Sequence, residues 1–107
     1  MQLDGRKVLV SQQEFVVAAD LQRVLETFGA QVIVGDPTHL SSAAWDCAVF
    51  DTLRVQQSLA FLEQHKLPIV VYTGSTTPVY DRAVHVIKPA TDEELVEAVT
   101  RAIENRR

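Results

Sequence analysis

An aspartate, a threonine and a lysine stand directly after three of the chain's short apolar runs. Asp51 follows Cys47-Ala48-Val49-Phe50, Thr73 follows Ile69-Val70-Val71-Tyr72 and precedes Gly74, and Lys88 follows Val84-His85-Val86-Ile87 and precedes Pro89. Together they supply a carboxylate nucleophile, a hydroxyl donor and an ammonium counter-charge, a set suited to binding or accepting an anion such as a phosphoryl group. Each alone has a plainer reading. Asp51 serves equally as a turn opener or helix cap, Thr73 as an ordinary strand residue, and Lys88 as a solvated loop lysine. Their joint chemistry depends on a fold that brings the three run ends to one rim.

Two further runs, Val8-Leu9-Val10 and Val32-Ile33-Val34, complete a set of five. All are short, rich in β-branched residues and mostly continuous rather than alternating, the pattern of parallel strands covered on both faces. Between the first two, Val17, Leu21, Val24, Leu25 and Phe28 recur at helical spacing with Gly29 behind them, which predicts a first helix over 14–28. Leu59, Phe61 and Leu62 mark a short helix ending before Pro68. Thr91-Asp92-Glu93-Glu94 reads as a capping box with Thr91 as N-cap, opening a last helix whose apolar stripe is Leu95, Val99, Ala102 and Ile103.

Strands interleaved with helices imply an open parallel α/β sheet with right-handed crossovers, built as a single domain over 1–107. Two crossovers are cramped. Only residues 74–82 separate Thr73 from Ala83, whereas a helix-bearing crossover takes at least about 10–12 residues. The helix there shrinks to a single turn at 78–81 with Thr77 as N-cap. The helix between Val34 and Cys47 is likewise confined to 41–45. Function in such a sheet gathers at the carboxyl ends of the strands. That rim carries Ser11-Gln12-Gln13-Glu14, Asp51, Thr73-Gly74 and Lys88-Pro89.

Composition narrows the partners. Ten Lys and Arg against 14 Asp and Glu give a net charge of −4, which argues against a basic face for nucleic acid or an anionic membrane surface. Arg106-Arg107 reads as a solvated terminal pair. The one cysteine, Cys47, excludes an intrachain disulfide and any multi-cysteine metal site, and reads as a buried structural thiol. No run approaches the roughly 18 apolar residues of a membrane span, and the N-terminus lacks a leader-type apolar region, so a cytoplasmic location is expected. Gly5, Gly29, Gly35 and Gly74 form neither a dinucleotide fingerprint nor a phosphate-cradling loop. The segment after the first strand lacks the glycines and hydroxyls that would suit FMN. His39, His65 and His85 have no nearby cysteine or paired acid, which argues against zinc. Trp45 reads as a cover for the edge of the core.

The order Asp51, Thr73-Gly74, Lys88-Pro89 after the third, fourth and fifth strands resembles the receiver domain of two-component response regulators. The contexts Asp46-Cys47-Ala48-Val49-Phe50-Asp51, Leu67-Pro68-Ile69-Val70-Val71 and Ile87-Lys88-Pro89 match as well, and the resemblance runs from Lys7 to Ile103. It implies a flavodoxin-like doubly wound sheet of order 2-1-3-4-5, with the second and fourth helices shortened or missing. It also implies a signalling module, not an enzyme beyond its own phosphorylation, that takes a phosphoryl group from a histidine kinase onto Asp51. Thr73 and Lys88 would then bind the phosphoryl group. A Mg²⁺ ion would bridge it to an acidic pair after the first strand, with the backbone carbonyl of Leu53 as a further ligand.

The chain departs from that pattern in three places. The acidic pair falls on Gln12 and Gln13, amides without the charge that Mg²⁺ favours, so only weak metal binding by Asp51 and Leu53 is expected. His85 occupies a switch position where the family usually carries an aromatic residue. The fourth helix, part of the family's common output surface, is reduced. With fewer carboxylates in the site, Asp51 and Lys88 are expected to pair nearly one to one, leaving a quiet site. The alternative function is a pseudo-receiver, a protein-interaction or dimerisation module that works without phosphorylation. The thin cover over the last two strands predicts an apolar face for a partner or a second copy, with Val79 and Tyr80 as anchors.

Overall fold

The structure is a computed structural model and describes residues 2–36, 45–74 and 80–105. The predicted turns at 41–45 and 78–81, and with them Thr77, Val79, His39 and Arg106-Arg107, lie outside the described residues or reach only their edge at Trp45, Tyr80 and Asp81. Along the chain run β1 (Lys7–Ser11), α1 (Phe15–Thr27), β2 (Gln31–Val34), β3 (Cys47–Phe50), α2 (Thr52–His65), β4 (Ile69–Thr73), β5 (Val84–Ile87) and α3 (Asp92–Glu104). The strands form one five-stranded sheet of order β2-β1-β3-β4-β5, parallel throughout. This is the flavodoxin-like topology that the sequence predicts.

The two-sided burial of the middle strands explains their composition. β3 is buried at every position and β1 at every position after Lys7. Alternate residues of a strand face opposite ways, so each strand feeds two cores. On one side Val8, Val10, Cys47, Val49, Val70 and Val86 pack beneath α1 and α3, with Leu21, Leu25, Leu95 and Val99 among the helix residues that meet them. On the other, Leu9, Ala48, Phe50, Ile69 and Val71 meet Val55 and Leu62 of α2, with Trp45 and Tyr80 joining them.

Two expectations change here. The helix marked by Leu59, Phe61 and Leu62 is not short: α2 runs for 14 residues from Thr52 to His65. Its buried positions are Val55, Ser58 and Leu62, and a serine in the stripe breaks the apolar signal that would have revealed its length. Tyr80 is not an exposed anchor. It is 8% exposed and closes the smaller core. Among the described residues, the large hydrophobic left exposed near the last strands is Ile87, on the β5 edge and 45% exposed. Cys47 and Trp45 are buried as predicted.

The helix ends follow the sequence signals. Thr91 accepts a hydrogen bond from the Glu94 N–H at 3.1 Å, and the Glu94 side chain accepts from the Thr91 N–H at 3.0 Å, which closes the capping box. Gly29, just past the C-cap Phe28, adopts φ +101°, and a Cβ there would run into the Asp4 side chain. At the amino ends of β1 and β3, Asp46 accepts from the Lys7 N–H at 2.8 Å and pairs with Arg6 at 3.8 Å, so it fastens the end of the sheet opposite the rim that carries Asp51.

Candidate functional site

Register brings the predicted residues together. Ser11 lies beside Phe50, Phe50 beside Val71, and Thr73 beside Ile87. The residues that follow these strand ends therefore meet at one carboxyl-end rim. The Lys88 N–H donates to the Thr73 carbonyl at 2.8 Å, which carries the β4–β5 ladder one step past β5 and sets Lys88 next to Thr73. A cleft of about 290 Å³ opens there, lined by Gln12, Gln13, Asp51, Leu53, Thr73 and Lys88 among others. A larger cleft of about 520 Å³ lies at the opposite end of β4 and β5, around Pro68, Tyr80, Arg82 and Val84. The strand-end argument favours the smaller one.

Asp51 is half-buried and is the N-cap of α2. Its Oδ1 accepts from the Arg54 N–H at 2.8 Å, and its Oδ2 accepts from the Gln13 N–H at 2.6 Å. Its two oxygens are thus held in place by two backbone donors. One of them comes from the turn after β1, so a single carboxylate ties that turn to the start of α2. The expected one-to-one pair with Lys88 does not form. Among the described residues no ion pair joins the two, and the Lys88 ammonium lies 5.1 Å from the centroid of the Tyr72 ring instead. The physical reason is competition: the backbone donors satisfy Asp51, while an aromatic face takes the cation at little desolvation cost. Burial, reinforced by the negative charge of Asp20, pushes the Tyr72 hydroxyl above its ordinary pKa, so the ring beneath Lys88 stays neutral.

Thr73 is 6% exposed, and its hydroxyl lies 3.1 Å from that of Thr52. Gln12 is 8% exposed and lines the cleft, yet its Nε2 is buried with no acceptor. A buried donor left unmade costs about 1–3 kcal/mol. Gln13 is exposed and contributes its main-chain N–H rather than its side chain. His85 sits apart from the cleft. It is half-buried on β5, beside Val71, and borders a groove with Glu94, Glu97 and Arg101 of α3. His65 stacks on Phe61 with ring centroids 4.1 Å apart. Among the described residues no group of three His, Cys, Asp or Glu is placed to hold a metal ion.

The structure adds Thr52, Tyr72 and the Gln13 N–H to the residues anticipated from sequence. Thr52 had a signal, being the hydroxyl next to Asp51 at the start of a helix. Tyr72 counted as one more apolar strand residue, and a backbone donor has no sequence signature.

No family model and no curated protein matches the chain. Solved structures do. The N-terminal domain of a response regulator/sensory box/GGDEF three-domain protein from Carboxydothermus hydrogenoformans superposes with a TM-score of 0.78 at 23% identity, covering 92% of this chain and 94% of that one. A CheY-like response regulator receiver domain protein from Methanospirillum hungatei gives 0.76 at 14% identity, covering 94% and 95%. A response regulator receiver protein from Sinorhizobium medicae gives 0.72 at 20% identity, covering 95% and 97%. The chain has the fold of response-regulator receiver domains.

Proposed function

We propose that this receiver-fold chain is a signalling module of a two-component phosphorelay and that Asp51 is its phospho-acceptor. The observation that carries the reading is the convergence of Asp51, Thr73 and Lys88 on one strand-end cleft. A carboxylate oxygen of Asp51 supplies the electron pair of a new O–P bond while the P–N bond of a phosphohistidine breaks. The departing imidazole keeps that bond's electron pair and takes a proton from solvent. Thr73 donates to a phosphoryl oxygen, and Lys88 swings off Tyr72 to meet the new charge. The partner is a histidine kinase or another signalling protein, and its contact surface includes the β5 edge around Ile87, where a second copy of the chain would also dock.

The residues do not suit a resting divalent cation. Amides stand at Gln12 and Gln13, Glu14 and Asp51 are the carboxylates lining the cleft, both Asp51 oxygens already hold N–H groups, and Gln12 offers an unpartnered donor. Mg²⁺ favours anionic oxygen ligands, so binding to the resting site is expected to be weak.

A pseudo-receiver remains the second reading, favoured by the structural duty of Asp51 as cap of α2 and clasp of Gln13. One experiment separates the two. Incubation with a small phosphodonor is expected to label the protein at Asp51, with Asp51→Asn unlabelled and Lys88→Ala slowed about tenfold or more. An unlabelled wild type favours the pseudo-receiver, and phosphate on a histidine overturns the site.

A further inference from the structure

Among the described residues, Gln12 is the one polar side chain in the cleft that combines burial with an unmet donor. It is 8% exposed, it lines the cleft beside Asp51, and its Nε2 is buried with no acceptor. A carboxylate at this position only accepts hydrogen bonds when ionised, whereas a side-chain amide carries two N–H donors. Ser11 Oγ, Arg54 Nε and Ser58 Oγ are also buried without partners, but none of these residues lines the cleft. With Gln12 and Gln13 both neutral, the charged side chains lining the resting cleft are Glu14, Asp51 and Lys88, so positions 12 and 13 bring no anionic ligand.

On the reading that Asp51 is the acceptor, we propose that Gln12 replaces the divalent cation. Its Nε2–H donates to a phosphoryl oxygen on Asp51, so that the site works without metal. Transfer places three anionic oxygens in the cleft. The terminal amide turns about its soft torsion and gives its unmet donor an acceptor. Gln12, Thr73 and Lys88 then each meet phosphoryl charge: a neutral amide donor, a hydroxyl donor and an ammonium group. The burial of the amide strengthens the bond, because water does not compete for it. The unmet donor is therefore a defect of the resting state only, and phosphorylation repairs it.

The test uses the full chain with acetyl phosphate, label read by intact-protein mass spectrometry and located by peptide mapping. Wild type is expected to label at Asp51 at the same rate, within about twofold, in EDTA and in Mg²⁺. Gln12→Met keeps the length and apolar stem but removes the donor, and is expected to slow labelling roughly tenfold to a hundredfold in both conditions. Gln12→Glu is expected to make labelling depend on Mg²⁺. Labelling of wild type that collapses in EDTA overturns the inference and leaves Asp51 as acceptor. So does Gln12→Met labelling at the wild-type rate. Absence of label with either metal condition overturns both the inference and the acceptor reading. Where Gln12→Met fails to fold, as read by circular dichroism, the comparison of wild type in EDTA and Mg²⁺ decides alone.

Discussion

At the scale of single residues, the site turns on groups that serve two masters. Asp51 caps α2 and clasps Gln13 while standing where a nucleophile is wanted, and Thr73 shares its hydroxyl with Thr52. On the acceptor reading, attack by Asp51 draws on a lone pair that neither hydrogen bond occupies. Cys47 has a single duty. It is fully buried in the larger core, and burial pushes its thiol up to about 12 from an ordinary value of 9.0. The sign follows from proton counting. Above pH 9 the unfolded thiol ionises while the folded one keeps its proton, so stability is intact below about pH 9 and falls as pH rises toward 12. The slope approaches about 1.4 kcal/mol per pH unit for one group. Denaturant titrations of wild type and Cys47→Ala between pH 8 and about 10.5 are expected to show a shallower alkaline decline in the variant. Equal slopes would remove Cys47 as the cause. Burial raises Tyr72 and Tyr80 in the same direction, so some decline persists in both proteins.

At the scale of elements, α2 differs from its companions. α1 and α3 share one face of the sheet and its larger core, whereas Val55 and Leu62 of α2 anchor the other. Leu62→Ala is expected to cost about 3 kcal/mol and lower the thermal midpoint by roughly 10 °C or more. A loss below about 1 kcal/mol would mean that Trp45 and Tyr80 hold that face without the helix. How much of this was legible varies by element, for physical reasons. A strand buried on both faces must be apolar along its whole length, so Cys47–Phe50 was readable to the residue. Val84–Ile87 was readable too, from its β-branched composition, although Val86 is its one buried residue. The capping box declared the start of α3 through four consecutive side chains. α2 has one buried stripe interrupted by Ser58 and a polar remainder, so only its middle gave a signal. In the site, Asp51, Thr73 and Lys88 were legible because each ends an apolar run. The partners that set their state, the Gln13 N–H and the Tyr72 ring, were not, because one is backbone and the other reads as core.

At the scale of the whole molecule, the second face is closed by side chains from three separate stretches: Trp45, α2 and Tyr80. The thin cover anticipated from the short crossovers is thus met from within the chain, and Tyr80→Ser is expected to unfold or strongly destabilise the domain, by about 3 kcal/mol or more, rather than to loosen a dimer. Thermal unfolding followed by circular dichroism checks it. A variant as stable as wild type that has merely lost self-association in ultracentrifugation would restore Tyr80 as a surface anchor. Burial of Tyr80 leaves Ile87 as the exposed apolar residue of the β5 edge.

α2 begins at Asp51, and the first peptide group it orders there, Arg54 N–H, is held by the same carboxylate that would carry phosphate. Among the described residues α2 is the one helix on its side of the sheet, and a helix without a neighbour to brace it opens to solvent more readily. The amides of α2 should therefore exchange with deuterium ahead of those in β1 and β3. A dianion added at the helix start favours the closed form through the helix dipole. Chemistry at one oxygen atom is in this way written into the breathing of a whole helix, and a downstream protein that binds only closed or only open α2 could read it without touching the cleft.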